Sequence, residues 1–375
     1  MKEWIESHFA EYYKLLKTLA AIPAPSHEED GRVSFILSWL KELGVGAYAD
    51  AAKNVIVPFG IYNGEDVTVI SAHTDVVFPD KTPLPVREEG GRLYAPGVGD
   101  DTANAAAILM IIKYLMEKGL AYDMSGVIFA LNSCEEGLGN LKGIRQIMKD
   151  FGPRVKAHIS FDCDRRNGIV TRAIGSERWR VTARTEGGHS YTAFGKPNAI
   201  HRVAELITRL YEQKIPDIEG TRTTYNVGMI IGGTSVNTIA QEAELLYEYR
   251  SDDRAAMAEM RESFLRLVGE ADCDEARFAY ELIGERPCGA YVPEGQEELF
   301  KRCAEAINAV TGEAPKPCAA STDANIPLSM GIPAVAFGLF NGGGAHTRGE
   351  WIEIDSLRDG LEIGIRTLFK VTGKR

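Results

Sequence analysis

Apolar residues recur at helical spacing from Trp4 to Ile22, where Pro23-Ala24-Pro25 ends the run. Ser26-His27-Glu28-Glu29 reads as a capping box, with Ser26 as cap and Glu29 three residues on. A second helix follows, with Val33, Ile36, Leu37 and Leu40 on one face, and stops at Gly44. Strands are predicted over residues 54–58 and 66–71. The second closes on Ser71-Ala72-His73-Thr74-Asp75, where residues two apart share one side of a sheet. A loop rich in Pro and Gly spans residues 78–99, and irregular stretches of that length are more often functional than idle. Asp100-Asp101 ends it, and a helix is predicted over 103–118. A strand over 127–132 runs into Ser133-Cys134-Glu135-Glu136-Gly137, and a helix leads to Asp150. Another strand, over 157–161, runs into Asp162-Cys163-Asp164. Strand, acidic loop, helix thus occurs three times. That is an α/β architecture with polar groups at the strand ends, where open sheets place their sites.

The rhythm changes near Gly175. Strands are predicted over 179–185, 224–231, 244–250 and 276–283, and helices over 198–213 and 253–268. The order β-α-β-β-α-β is a ferredoxin-like unit. From Arg286 the α/β pattern returns, with a helix over 294–310, a strand over 332–337, a Gly-rich loop to His346 and a last helix from Asp355. The pattern predicts a discontinuous α/β domain, residues 1–175 and 286–375, interrupted by a small α+β domain over 176–285.

Composition narrows the function. A chain of 375 residues with 45% apolar and 25% charged residues is globular in type. Its net charge of −11 argues against a nucleic-acid or anionic-membrane partner. No apolar run reaches membrane-spanning length, and the N-terminus lacks the apolar core of a signal peptide. The six cysteines are scattered, with no Cys-x-x-Cys, as expected of reduced thiols in a cytoplasm.

Five places in the outer domain offer metal ligands: His73 with Asp75, Asp100, Glu135-Glu136, Asp162 or Asp164, and His346. The first four have a plainer reading alone. The first could be a structural His-Asp pair, Asp100-Asp101 helix caps, Glu135-Glu136 a solvated turn, and Asp162 or Asp164 ordinary loop residues. Their joint recurrence at strand ends favours a site. Two histidines and three or more carboxylates exceed the needs of one tetrahedral zinc and suit two metals with a bridging carboxylate. Adjacent glutamates at a strand end diverge, so one can bind metal while the other takes a proton from an activated water.

These motifs resemble those of the co-catalytic zinc metallopeptidase family that includes peptidase T, glutamate carboxypeptidase, aminoacylase, acetylornithine deacetylase and succinyl-diaminopimelate desuccinylase. The carriers are Ser71 to Val77, Gly97 to Asp101, Ser133 to Gly137, Ser160 to Asp162 and Gly344 to Ile352. The resemblance implies a catalytic domain with a mixed sheet between helices and an inserted lid or dimerisation domain. It also implies two zinc ions, with cobalt or manganese as substitutes. His73, Asp100 and Asp162 would hold one, and Asp100, Glu136 and His346 the other, with a cis bond common after the bridging aspartate. Asp75 would orient His73, and Glu135 would be the general base. In the inserted domain His189, in Gly187-Gly188-His189-Ser190, would stabilise the oxyanion, and Asn237 and Arg250 would contact substrate. Ser321 to Asn325 resembles a family segment near the site. One departure is Thr102, where relatives often carry lysine.

The expectation is a peptidase T-like exopeptidase acting on small peptides. Cleavage of N-acyl amino acids or C-terminal residues is the alternative. A homodimer through the inserted domain is expected, with closure of the lid over the site. A non-catalytic binding homologue and a two-metal phosphoesterase are the readings from other classes. The intact Glu135 argues against the first, and the Glu-Glu and Gly-Gly-His motifs against the second.

Overall fold

A computed structural model describes residues 1–61, 65–289 and 293–374. The chain divides into two compact units, Met1–Ala173 with Tyr291–Arg375, and Ile174–Ala290.

The larger unit is built on an eight-stranded mixed sheet. Its spatial order is Tyr48–Ala49, Val55–Phe59, Val127–Asn132, Val67–His73, Val155–Phe161, Ala334–Phe337, Ile169–Ala173 and Pro317–Ala320. The four central strands, from Val127–Asn132 to Ala334–Phe337, run parallel. They are almost wholly buried. Continuous apolar runs of this kind need cover on both faces. One face packs under the helices Lys2–Ala21, Asn104–Glu117, Gln296–Thr311 and Ser356–Thr372. The other packs under Lys142–Phe151 and the short helix Asn325–Ser329. The helix from Ser356 lies so close to the sheet's connections that a Cβ on Gly360 would meet the Leu339 carbonyl.

The strands Ile169–Ala173 and Pro317–Ala320 were not expected from their patterns. Nor was the loop over 78–99 wholly irregular. It contains the strands Arg87–Glu89 and Arg92–Tyr94, which join Trp351–Glu353 and Gly342–Gly343 in a small antiparallel sheet. That sheet ties the segment before Asp100 to the segments around His346.

The smaller unit is a four-stranded antiparallel sheet ordered Thr223–Gly232, Glu242–Ser251, Gly175–Arg184, Arg277–Arg286. The helices Ala199–Glu212 and Arg254–Ala271 cover one face and bury Trp179, Val181, Leu245, Tyr247 and Phe264. Their N-termini are capped by Asn198 and Asp253, whose side chains accept from backbone N–H groups. The alternating pattern and split order are ferredoxin-like.

Candidate metal centre

Three strand ends and two loops of the larger unit bring the predicted residues together. His73 is the last residue of its strand, buried like its neighbours. Its Nε2 lies 3.0 Å from Asp100 Oδ1. The other oxygen of Asp100 lies 3.1 Å from Nε2 of His346, which in turn is 3.2 Å from Glu136 Oε1. Asp100 thus faces a different histidine with each oxygen. Its peptide bond to Asp101 is cis. Potential ligand atoms converge within 4.8 Å in three overlapping groups: His73–Asp100–Asp101–Asp162, His73–Glu135–Glu136 and Asp100–Glu136–His346.

The plainer readings do not fit this placement. Neither Asp100 nor Asp101 caps the following helix, whose N-cap is Ala103. Glu135 and Glu136 are 5% and 6% exposed, so they are no solvated turn. Asp162 is buried within the cluster, while Asp164 accepts from the N–H groups of Arg166 and Gly342 and pairs with the Arg166 guanidinium.

Asp75 does more than face His73. Its carboxylate lies 3.4 Å from His73 Nδ1, and its carbonyl oxygen is nearer, at 3.1 Å. Asp75 Oδ1 accepts from Glu135 N at 2.9 Å and Oδ2 from Glu136 N at 3.0 Å. The Asp75 side chain therefore holds both glutamates at their backbones, while the Asp75 carbonyl faces the histidine. Ser26 Oγ donates to Asp75 Oδ2 at 2.6 Å. The expected capping box is thus incorrect. The helix begins at Asp30, Ser26 serves the site, and Glu29 accepts from the N–H of His27 and of Cys134. A buried aspartate competes successfully for a hydroxyl that local spacing assigned to the helix.

The site concentrates buried negative charge. Asp75, Asp101, Glu135, Glu136, Asp162 and Asp323 are all buried. Arg32 is the buried cation facing Asp75, Asp101 and Glu350, yet it donates to the carbonyls of Ile22 and Thr74. Burial works against the charge of Asp100, but hydrogen bonds from His346 and His73 hold it well below the usual carboxylate range. Burial and the nearby Asp100 charge push Glu136 up to about 7 and Asp162 well upward. Hydrogen bonds to Asp100 and Glu136 carry His346 up to about 11. These surroundings favour protons on His346, Glu136 and Asp162. Cations would displace them, as metal ligands must be deprotonated to bind. Imidazole nitrogens and carboxylate oxygens are the mixed donor set that suits zinc. The residues therefore fit a pair of such ions.

A model of the peptidase family M20/M25/M40 matches residues 69–370. The chain belongs to that family. It is therefore a hydrolytic enzyme of metallopeptidase type, as the motifs' resemblance implied. The chain is 24% identical over 352 residues, 92% of both chains, to succinyl-diaminopimelate desuccinylase from Corynebacterium glutamicum. In fold it is similar to aminopeptidase PepT from Bacillus cereus, with TM-score 0.72 and 21% identity over 97% of this chain and 99% of that one. It is also similar to a dinuclear metal binding peptidase of the M20 family from Bacillus subtilis, with TM-score 0.67 and 17% identity over 99% and 100% of the two chains. The fold is thus that of M20 peptidases, a catalytic domain with an inserted domain.

The inserted unit carries the other predicted residues. His189 pairs with Thr238 in a short antiparallel ladder, and Ser190 N donates to the Asn237 carbonyl at 2.9 Å, so His189 and Asn237 are neighbours. His189 Nδ1 accepts from Tyr191 N at 3.2 Å, which leaves the ring proton on Nε2. Arg250 is elsewhere on the sheet, its guanidinium 3.0 Å from Glu248, which Arg178 also approaches.

Three contributors went unassigned in the sequence. Arg32 lies on the buried side of the second helix, one residue before Val33. Asp323 is wholly buried and accepts from Asn132 Nδ2 at 2.7 Å, and burial with the charge of Glu135 pushes it up to about 7. Glu350 lies inside a quoted motif but received no role. Asp323 and Glu350 shared one signal, the resemblance of the segments that contain them, and Arg32 had none. Thr102, in the place of the usual lysine, donates its hydroxyl to the Gly97 carbonyl.

Proposed function

We propose that this enzyme hydrolyses the amide bond of a small peptide in the manner of an exopeptidase. The observation that carries this reading is Asp100 standing between two histidines, with the Glu135-Glu136 turn suspended beside it. His73, Asp100 and Asp162 would hold one divalent cation, and Asp100, Glu136 and His346 a second. Two cations, zinc or in its place cobalt or manganese, would when bound polarise the amide carbonyl and acidify a water.

The remaining work belongs to side chains. Glu135 takes the proton of the attacking water on its carboxylate and returns it to the leaving nitrogen. Asp75 holds the Glu135 amide and keeps that carboxylate in place. His189 donates from Nε2 to the oxygen that becomes negative in the transition state. Asn237 adds a polar contact to substrate. Arg250 meets a substrate carboxylate by sharing its guanidinium with Glu248. A cavity of about 560 Å³ beside Asp100, lined by Arg166, Trp351 and the backbone of Gly342 to Gly344, has the size of a small-molecule site.

The likeness to a desuccinylase over 92% of both chains favours a second reading, an N-acyl amino acid as substrate. An aspartate at Asp162, as in peptidase T and aminoacylase, supports the peptide reading without separating it from aminoacylase. The zinc-loaded protein should therefore be assayed on dipeptides, tripeptides and the same amino acids N-succinylated or N-acetylated. Cleavage requiring a free amine is the expected result. Cleavage of the acylated compounds alone would replace the peptide reading by the second, and turnover of neither class would overturn both.

The inserted unit presents a bare edge strand, Thr223–Gly232, with Met229, Ile230 and Ile231 exposed. Such an edge is open to strand pairing, which supports a homodimer through this unit. Six free thiols suit a reducing cytoplasm, and among the described residues no helix is long and apolar enough to cross a membrane.

A further inference from the structure

Glu350 is 2% exposed and its side chain makes contacts about 250 residues away in the chain. Oε1 accepts from Gly99 N at 2.7 Å and from Asp100 N at 2.8 Å, and Oε2 accepts from Gly97 N at 3.0 Å. Three backbone donors thus converge on one carboxylate, which suits an anion far better than a neutral amide. The loop is shaped for it: a Cβ on Gly99 would stand 3.1 Å from Oε1 and 2.8 Å from the Phe340 ring.

Glu350 is equally tied to His346. Glu350 N donates to the Thr347 carbonyl at 3.1 Å, and Thr347 N to the Gly344 carbonyl at 3.0 Å, so residues 344–350 form one tight turn. The pairing of Trp351 with Tyr94 anchors the end of that turn. His346 itself projects from the turn with its side chain 57% exposed and lacks a strand of its own. His73, in contrast, is fixed by its strand and by Asp101, which accepts from its N–H at 2.8 Å.

We propose that Glu350 is a positioning residue that sets the spacing of Asp100 and His346, and so governs affinity at the Asp100–Glu136–His346 group. The inference rests on the two-cation reading above. It assigns the weaker dependence to the group containing His73, which its own strand holds.

The test is zinc titration of the chelator-stripped full-length protein against a chromophoric chelator, wild type beside Glu350→Gln. Glutamine keeps length and can keep the bonds to Gly99 and Asp100, but its amide then faces the Gly97 N–H donor to donor. The wild type should bind two equivalents. The variant should bind one ion about 10–100-fold more weakly, the usual cost of losing an outer hydrogen-bond partner, and the other, which shares Asp100, with a clearly smaller loss. Glu350→Asp, which keeps the charge, should recover part of the loss, and it carries the test if the glutamine variant does not fold. Near-UV circular dichroism of the metal-free proteins checks the fold. Two unchanged sites in the variant, or equal weakening of both, would overturn the inference. A wild type binding fewer than two ions would overturn the two-cation reading, and this inference with it.

Discussion

The two units place their charges in opposite ways. In the inserted unit one set lies in rows across the sheet face that the helices leave uncovered. Arg178 approaches Glu248, Arg180 lies between Glu244 and Glu281, and Arg184 pairs with Glu242. Each pair is at least partly exposed and sits on adjacent strands, where opposite charges add a fraction of a kcal/mol. In the larger unit carboxylates gather at the ends of parallel strands, buried, with Arg32 as their buried cation. Burial of like charges is costly, so it persists where something is to be bound. A residue's charge thus says little about function until its partners are counted.

Three substitutions test that contrast, beginning with the largest effect. Glu135→Ala should lower kcat by about 10⁴-fold, the upper end of what a general acid–base group supplies, while zinc binding is kept. Unchanged turnover with both ions bound would remove Glu135 from the mechanism. His189→Ala tests the exception, a residue of the inserted unit given a chemical role. It should lower kcat by about 10²–10³-fold. A change confined to KM would assign His189 to substrate binding. Arg180→Ala should be nearly silent, within about 0.5 kcal/mol in denaturant unfolding, because its partners are exposed and screened. A larger loss would mean that the ladder holds the sheet together.

The residues that converge were legible because chemistry and secondary structure coincide there. His73, Glu135 and Glu136 follow apolar runs that can only be buried strands, and Asp100 precedes a helix that is apolar almost all round. The ferredoxin-like unit was legible from alternation and from the order of its strands and helices. What stayed hidden was built by contacts distant in sequence. Ser26 and Asp75 are 49 positions apart, and Glu350 and Asp100 are 250 apart. No local period reports such pairs. Ser26 shows the cost, since its spacing to Glu29 satisfied a local rule that the tertiary contact overrode. The strands Ile169–Ala173 and Pro317–Ala320 were hidden for another reason. They are short and lie at one side of the sheet, partly exposed, so their patterns lack the unbroken apolar run of the central strands.

The strand Ala334–Phe337 lies between Val155–Phe161 and Ile169–Ala173, although it is made long after both. A ribosome adding about 5–20 residues per second needs about 10–35 s for the roughly 170 residues between Phe161 and Ala334. Until then Val155–Phe161 ends the sheet on that side, because Ile169–Ala173 reaches it through Ala334–Phe337. His346 then emerges last of the predicted ligands. Assembly of the metal centre is thereby postponed until the chain is nearly complete, and a ribosome stalled within the inserted unit holds a hydrolase that cannot yet cut.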